Sequence, residues 1–158
     1  MGWKRAGWYS YDMIDNERTP SAETIIPDLQ ILQVGDFVPE GPEVGWTVRS
    51  LEPDRLLLLE THAPMKGVAW VQHRDSSWLF LLIAIDAENT RLIERARTTL
   101  TMNRHTLLGR LLATPGFMRL LLAPGDFVMA RRQMLGIKRR AERAQRRVLH
   151  QRSTLNAA

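Results

Sequence analysis

The stretch GDFVMARRQMLGIKRRAERAQRRVLH, residues 125–150, decides the fold of this chain. Its apolar residues recur at spacings of three and four, which places them on one face of a helix. They are Phe127, Ala130, Met134, Ile137, Ala141, Ala144 and Val148. Arginine and lysine occupy the opposite face. The pattern predicts one long helix whose apolar side needs a partner and whose basic side meets water or anions.

The predicted helix begins at Pro124-Gly125-Asp126, because the Asp126 side chain can accept hydrogen bonds from free backbone NH groups of the first turn. At a rise of about 1.5 Å per residue, the helix would be about 39 Å long, which exceeds an average partner helix. A sheet can cover such a length. The helix therefore predicts a sheet as its partner.

The remaining sequence supplies that sheet. Predicted strands cover residues 37–39, 46–51, 56–61, 78–85 and 90–101. Their short connections favour antiparallel neighbours. The strand at 78–85 is apolar throughout, which predicts that it is covered on both faces or lies at a subunit contact.

Three other segments are predicted to be less regular. Residues 62–75 form a loop with a short strand at 68–71, and a short helix covers residues 9–15. Residues 21–32 contain Pro27, so they form at most a broken helical segment.

Composition limits the classes of function. The 158 residues include no cysteine, which excludes disulfides, thiolate nucleophiles and cysteine-bound zinc and fits a cytoplasmic protein. No stretch is long and apolar enough for a transmembrane segment, and the start lacks a signal-peptide core. The four histidines are dispersed and no phosphate loop occurs, so we predict neither a metal site nor a cofactor.

The positive charge is concentrated in the predicted helix. Residues 131–152 hold nine lysines or arginines and one acid, whereas the other residues hold 13 bases and 16 acids. One interpretation is a surface for nucleic acid or anionic lipid; the other is a solvated outer face. No aromatic side chain lies among these arginines for base stacking, so the nucleic-acid signal is not strong.

Glu94 is the sharpest candidate for chemistry. In the alternation of the last strand, it shares a face with Leu92 and Ala96, which is predicted to point inward. An inward carboxyl group has a raised pKa, which suits proton transfer or binding of a polar ligand group. The alternative is an acid neutralised by an arginine.

Other candidates line the same predicted cavity. Tyrosine hydroxyls at 9 and 11 can donate hydrogen bonds, and the aromatic pair at 78 and 80 shares a strand face. Each of these side chains would equally suit an ordinary core. Asp12 and Asp15 could act as paired carboxylates or be surface charge. The predicted ligand-binding set is Tyr9, Tyr11, Trp78, Phe80, Glu94, Phe127 and Met134, and no catalytic residue is assigned.

Four stretches resemble bacterial proteins of the SRPBCC superfamily, which includes polyketide cyclases and START lipid-binding domains. They are RAGWYSYDMIDN at 5–16, IIPDLQILQVGDFVP at 25–39, SSWLFLL at 76–82 and PGDFVMARRQMLGIKRRAE at 124–142. Tyr9, Tyr11 and Asp12 match a tyrosine-serine-tyrosine-aspartate signature of the group. The resemblance implies an α+β helix-grip fold, in which a curved antiparallel sheet of five to six strands wraps around a long C-terminal helix.

On this resemblance, residues 1–150 form a single ligand-binding domain and residues 151–158 a disordered tail. The implied function is binding of a hydrophobic or aromatic small molecule between sheet and helix. The alternative is a polyketide cyclase or dehydratase-like enzyme that uses a cavity carboxylate, either Glu94 or Asp12 with a tyrosine. A weaker alternative is an adaptor that binds nucleic acid or membrane through its basic helix.

The sequence departs from the group at its start. Relatives have a strand and a helix before the aromatic signature, whereas this chain starts at Met1. Either Met1 is an internal methionine of a longer protein, or this version lacks one edge of the sheet. A missing strand would leave backbone groups unpaired, and a homodimer through that sheet edge is then one expected partner arrangement.

Overall fold

The computed structural model describes residues 1–64 and 69–156, without the side chains at positions 115, 117–119, 121, 122, 152 and 156. These residues form an α+β structure with five strands, a 3₁₀ turn at Pro27–Leu29 and a C-terminal helix. The elements in chain order are α1 Asp12–Asp15, β1 Phe37–Pro39, β2 Gly45–Glu52, β3 Leu56–Pro64, β4 Val71–Ala84, β5 Thr90–Met102, α2 Leu107–Leu112 and α3 Pro115–Asn156.

The five strands form one antiparallel sheet in the order β1-β2-β3-β4-β5, which confirms the predicted strands and their antiparallel pairing. The prediction of a loop over 62–75 is wrong at both ends, because β3 continues to Pro64 and β4 begins at Val71. These ends pair with each other, as the register of Pro64 with His73 shows. Residues 65–68, which include the start of the predicted strand at 68–71, lie outside the described residues.

The core lies on one face of this sheet, called the inner face here. Its register pairs Leu59 with Trp78 and Phe80 with Glu94, so these four side chains share that face. The buried cluster consists of Trp8, Val38, Trp46, Val48, Leu59 and Phe80. All but Trp8 come from strands, and Trp8 comes from the chain before α1. The inner face is therefore covered partly by the amino-terminal part of the chain.

Strand β4 is not covered on both faces along its whole length. Leu82, Ile83 and the following Ile85 are exposed, so the predicted coverage of the strand at 78–85 on both faces is wrong at this end, and the alternative of a subunit contact stays a prediction. The reason is that β4 extends as a hairpin with β5 past the buried cluster, where described residues leave its side chains open to solvent.

The amino-terminal segment, defined as residues 1–23, is held in loops by hydrogen bonds within itself. The buried Asn16 accepts a hydrogen bond from Lys4 N at 2.9 Å and donates one to the Thr19 carbonyl at 2.7 Å. Ser21 Oγ accepts one from Tyr9 N at 3.0 Å and Ser21 N donates one to Asp12 Oδ2 at 2.9 Å. Because these bonds hold the segment in loops, the predicted helix at 9–15 is limited to α1.

Helix α3 packs mainly against the amino-terminal segment. Gln133 is buried and donates to Met1 Sδ at 3.9 Å, while Ser10 Oγ donates to Met129 Sδ at 3.6 Å. Arg140 donates to the Ala22 carbonyl at 2.7 Å. The side of α3 that is covered therefore meets backbone carbonyls, sulfur and polar side chains rather than a continuous apolar sheet.

Two predictions about this helix are wrong. The helix starts at Pro115, so Asp126 lies inside it and does not cap it, and Pro124 is an internal proline. The apolar stripe is not covered along its length, because Phe127, Ala141, Ala144 and Val148 are exposed. Its partner, the amino-terminal segment, reaches only the middle of the helix. The predicted disordered tail at 151–158 is helical as far as Asn156, and positions 157 and 158 lie outside the described residues.

Candidate functional site

An aromatic cluster centres on Trp78 in the middle of β4. The Trp8 ring stacks on it at 5.2 Å between centroids, and the Trp46 and Phe80 rings lie tilted at 5.4 and 5.0 Å. Strand pleating explains the arrangement, since Trp78 and Phe80 are two residues apart and therefore share the inner face. Trp8, Trp46 and Phe80 are buried and Trp78 is half-buried, so the cluster forms a polarisable aromatic part of the core.

Glu94 on β5 borders this aromatic cluster. Its Oε1 accepts a hydrogen bond from Trp78 Nε1 at 2.8 Å. Its Oε2 is buried and has no hydrogen-bond partner in the described part of the chain. Burial raises the pKa of Glu94 above its ordinary value, and the bond from Trp78 opposes the rise only partly.

Two of the indole groups that pack on Trp78 also lack a hydrogen-bond partner among the described residues. The Nε1 donors of Trp8 and Trp46 are buried without an acceptor among the described residues. Buried polar atoms normally find a partner, so each of these NH groups has an unused capacity to donate a hydrogen bond. On the same face of β5, Ala96 and Thr98 are exposed, which leaves an opening beside the carboxylate. We call Trp8, Trp46, Trp78, Phe80 and Glu94 the inner-face site.

Three predicted ligand-binding residues meet in this site: Trp78, Phe80 and Glu94. The two tyrosines lie elsewhere, against α3. The Arg140 guanidinium lies 4.8 Å from the Tyr9 ring centroid, and that of Arg132 lies 5.7 Å from the Tyr11 ring centroid. The predicted set is therefore divided between the two sides of the amino-terminal segment.

The two helix candidates are not placed at the inner-face site. Phe127 is 67% exposed, and Met134 is half-buried. The physical reason is that the amino-terminal segment occupies the space between the middle of α3 and the sheet. At the middle of α3, residues 1–23 therefore lie where the sequence predicted a cavity between helix and sheet.

Most basic side chains of α3 are exposed, which agrees with the prediction of a solvated outer face, but Arg140 and Arg143 are half-buried. The Glu23 carboxylate accepts hydrogen bonds from Arg139 at 3.4 Å, Arg140 at 2.8 Å and Arg143 at 2.6 Å. The Arg140 side chain is only 16% exposed. This ion-pair group fastens the amino-terminal segment to the helix.

Asp12 and Asp15 differ from the prediction of surface charge. The Asp12 carboxylate accepts hydrogen bonds from both the backbone NH and the hydroxyl of Ser21. Burial raises the pKa of Asp15, and the neighbouring Asp12 charge acts in the same direction. Neither carboxylate is ordinary surface charge, and the bonds between Asp12 and Ser21 help to hold the amino-terminal segment in its fold.

Sequence reasoning missed Trp8 and Trp46 as members of the site. Trp8 directly precedes the signature that drew attention to Tyr9, and Trp46 opens a predicted strand whose alternation would have placed it with Val48. A count of tryptophans able to reach one face would have found Trp46. The position of Trp8 depends on the long-range fold of the amino-terminal segment.

The chain matches no family model, no curated protein and no solved structure. Within residues 1–64 and 69–156, no helix has the length and apolarity needed to cross a membrane. In the same residues, no three potential metal-ligating side chains come together.

Proposed function

We propose that this protein is a helix-grip domain that binds a small aromatic or hydrophobic molecule at the inner-face site. The observation that carries the proposal is the buried Oε2 of Glu94, which has no hydrogen-bond partner among the described residues and lies beside the aromatic cluster. A five-stranded antiparallel sheet followed by a long C-terminal helix supports the helix-grip assignment.

The energetics of Glu94 define the kind of ligand. A buried carboxylate oxygen without a partner is costly, and a hydrogen bond to a charged group contributes roughly 1.5–3 kcal/mol. A ligand with a hydroxyl or NH donor would relieve that cost, while its apolar part would pack against the indole rings. Acceptor groups on the ligand would find the free NH groups of Trp8 and Trp46. A hydroxylated aromatic molecule meets all three conditions.

A matched pair of probes tests the proposal. We expect 2-naphthol, which has a hydroxyl donor, to bind about tenfold more tightly than 2-methoxynaphthalene, which has none. Binding is measured by quenching of tryptophan fluorescence at constant pH. Glu94→Gln should remove the preference, because its amide places an NH₂ group where the free carboxylate oxygen lies.

The control is Glu88→Gln, which makes the same charge change at an exposed position of the turn between β4 and β5. This variant should keep the preference for 2-naphthol. Equal affinity for the two probes in the unmodified protein would contradict the proposal, and so would an unchanged preference in the Glu94 variant.

The second candidate is an enzyme of the cyclase or dehydratase type. Burial raises the pKa of Glu94, and a carboxyl group with a raised pKa is better suited to act as a general acid, which favours this candidate. In that case Glu94→Gln would abolish conversion of a poly-β-keto substrate and leave its affinity unchanged. The binding proposal expects the opposite result, a loss of affinity with no turnover in either protein.

A further inference from the structure

A cavity lies between the amino-terminal segment and α3, away from the inner-face site. We call it the amino-terminal cleft. Its volume is about 260 Å³, and its lining includes Tyr9, Arg132, Leu135, Gly136, Arg139 and Arg140. Drug-sized ligands need pockets of roughly 300 Å³ or more, so this cleft suits a smaller molecule.

The helix presents two arginines and a glycine to this cleft at regular spacing. Arg132, Gly136 and Arg139 are four and three residues apart, which places them on one side of α3. Gly136 also lines the cleft, and its backbone packs directly against the Tyr9 carbonyl. The Tyr9 ring and Leu135 add apolar wall.

Both acidic side chains in the lining are already engaged. Asp12 accepts from the backbone NH and hydroxyl of Ser21. Glu23 is shared by Arg140, Arg143 and, at the longer distance of 3.4 Å, Arg139. One carboxylate cannot satisfy three guanidinium groups, so the cleft has a surplus of positive charge and of NH donors.

Arg132 adds to this surplus. Its contact among the described side chains is the face of the Tyr11 ring, at 5.7 Å, and no carboxylate of the described residues lies within ion-pair distance. A guanidinium group offers five NH donors in a planar fork that matches phosphate and carboxylate oxygens. Its fork is therefore free to bind an anion.

We propose that the amino-terminal cleft binds a small organic anion, a phosphate monoester or a carboxylate, through the guanidinium groups of Arg132 and Arg139. The apolar wall of Tyr9 and Leu135 packs against the organic part of the ligand, and Glu23 competes with the anion for Arg139. This site is separate from the inner-face site and does not depend on the proposed function.

Calorimetric titration with three probes at fixed ionic strength tests the inference. The probes are inorganic phosphate, phenyl phosphate and benzoate. We expect phenyl phosphate to bind more tightly than inorganic phosphate, because the wall is apolar, and the comparison with benzoate identifies the preferred anionic group. Arg132→Gln should weaken binding of the preferred probe roughly tenfold, since it removes a charge-assisted contact.

The matched control is Arg131→Gln, which removes the same charge from the neighbouring exposed position, outside the cleft lining. It should change the affinity less than twofold. Glu23→Gln should tighten binding, because it frees Arg139 from its competitor. If both arginine variants weakened probe binding equally, the proposed site would be overturned, because the anion would then be attracted only by general surface charge. Failure of all three probes to bind at millimolar concentration would overturn it as well.

Discussion

Replacing Gly136 with alanine should destabilise the protein by about 2 kcal/mol, although the same change elsewhere in α3 should stabilise it. A Cβ atom at Gly136 would lie 2.3 Å from the Tyr9 carbonyl oxygen, far inside van der Waals contact. Neither the Tyr9 backbone nor the helix can move away easily. Tyr9 is held by Ser21, and the helix is held by Arg140 bonded to the Ala22 carbonyl.

Gly125 provides the matched control in the same helix. A Cβ atom there meets nothing within 4 Å, so Gly125→Ala should gain about 0.5–1 kcal/mol from helix propensity. Thermal unfolding followed by circular dichroism compares the two variants. If both were stabilised equally, the close packing of α3 on the amino-terminal segment would be refuted.

Replacing Leu59 with alanine should lower the free energy of unfolding by about 3 kcal/mol, within the usual range for a buried leucine. Leu59 is 0% exposed and lies in the centre of the buried cluster, opposite Trp78 on the neighbouring strand. Removing its isobutyl group would leave a cavity that rigid indole rings cannot fill. Chemical denaturation with urea measures the loss.

Leu107→Ala is the control for this prediction. Leu107 is 86% exposed at the first position of α2, so its truncation should change stability by less than about 0.5 kcal/mol. A cost at Leu59 no greater than that at Leu107 would mean that the core is centred elsewhere.

Local patterns were sufficient to predict the five strands, but not the full lengths of β3 and β4. The alternation along 90–101 predicted β5 and placed Glu94 on the inner face, because side-chain direction in a strand follows from sequence parity. The helical spacing after Asp126 likewise predicted most of α3. It failed at the helix start, because proline was treated as a breaker, whereas α3 includes Pro124.

The path of the amino-terminal segment could not be predicted, because it is fixed by contacts distant in sequence. Arg140 binds Ala22 and Glu23, and Gly136 lies against Tyr9. Such contacts have no period that a sequence scan can detect. They explain why Tyr9 and Tyr11 lie apart from Trp78 and why the predicted ligand-binding set does not form one site.

The titration of Glu94 links the structure to the proposed function. Burial raises the pKa of this group in the folded protein, so the folded state binds its proton more tightly than the unfolded state does. Protonated Glu94 therefore contributes its full stabilisation of the fold below the pKa that it has in the unfolded state. This stabilisation is lost as pH rises through the folded pKa, and Glu94→Gln should remove that loss.

The decisive measurement is the carbon-13 chemical shift of the Glu94 side-chain carboxyl carbon across pH, with and without 2-naphthol. The Glu94→Gln spectrum assigns the signal. We expect a midpoint above the ordinary value of about 4.3, and a lower midpoint with 2-naphthol, because a donor to the free oxygen stabilises the carboxylate. An ordinary midpoint that 2-naphthol leaves unchanged would contradict ligand binding at Glu94.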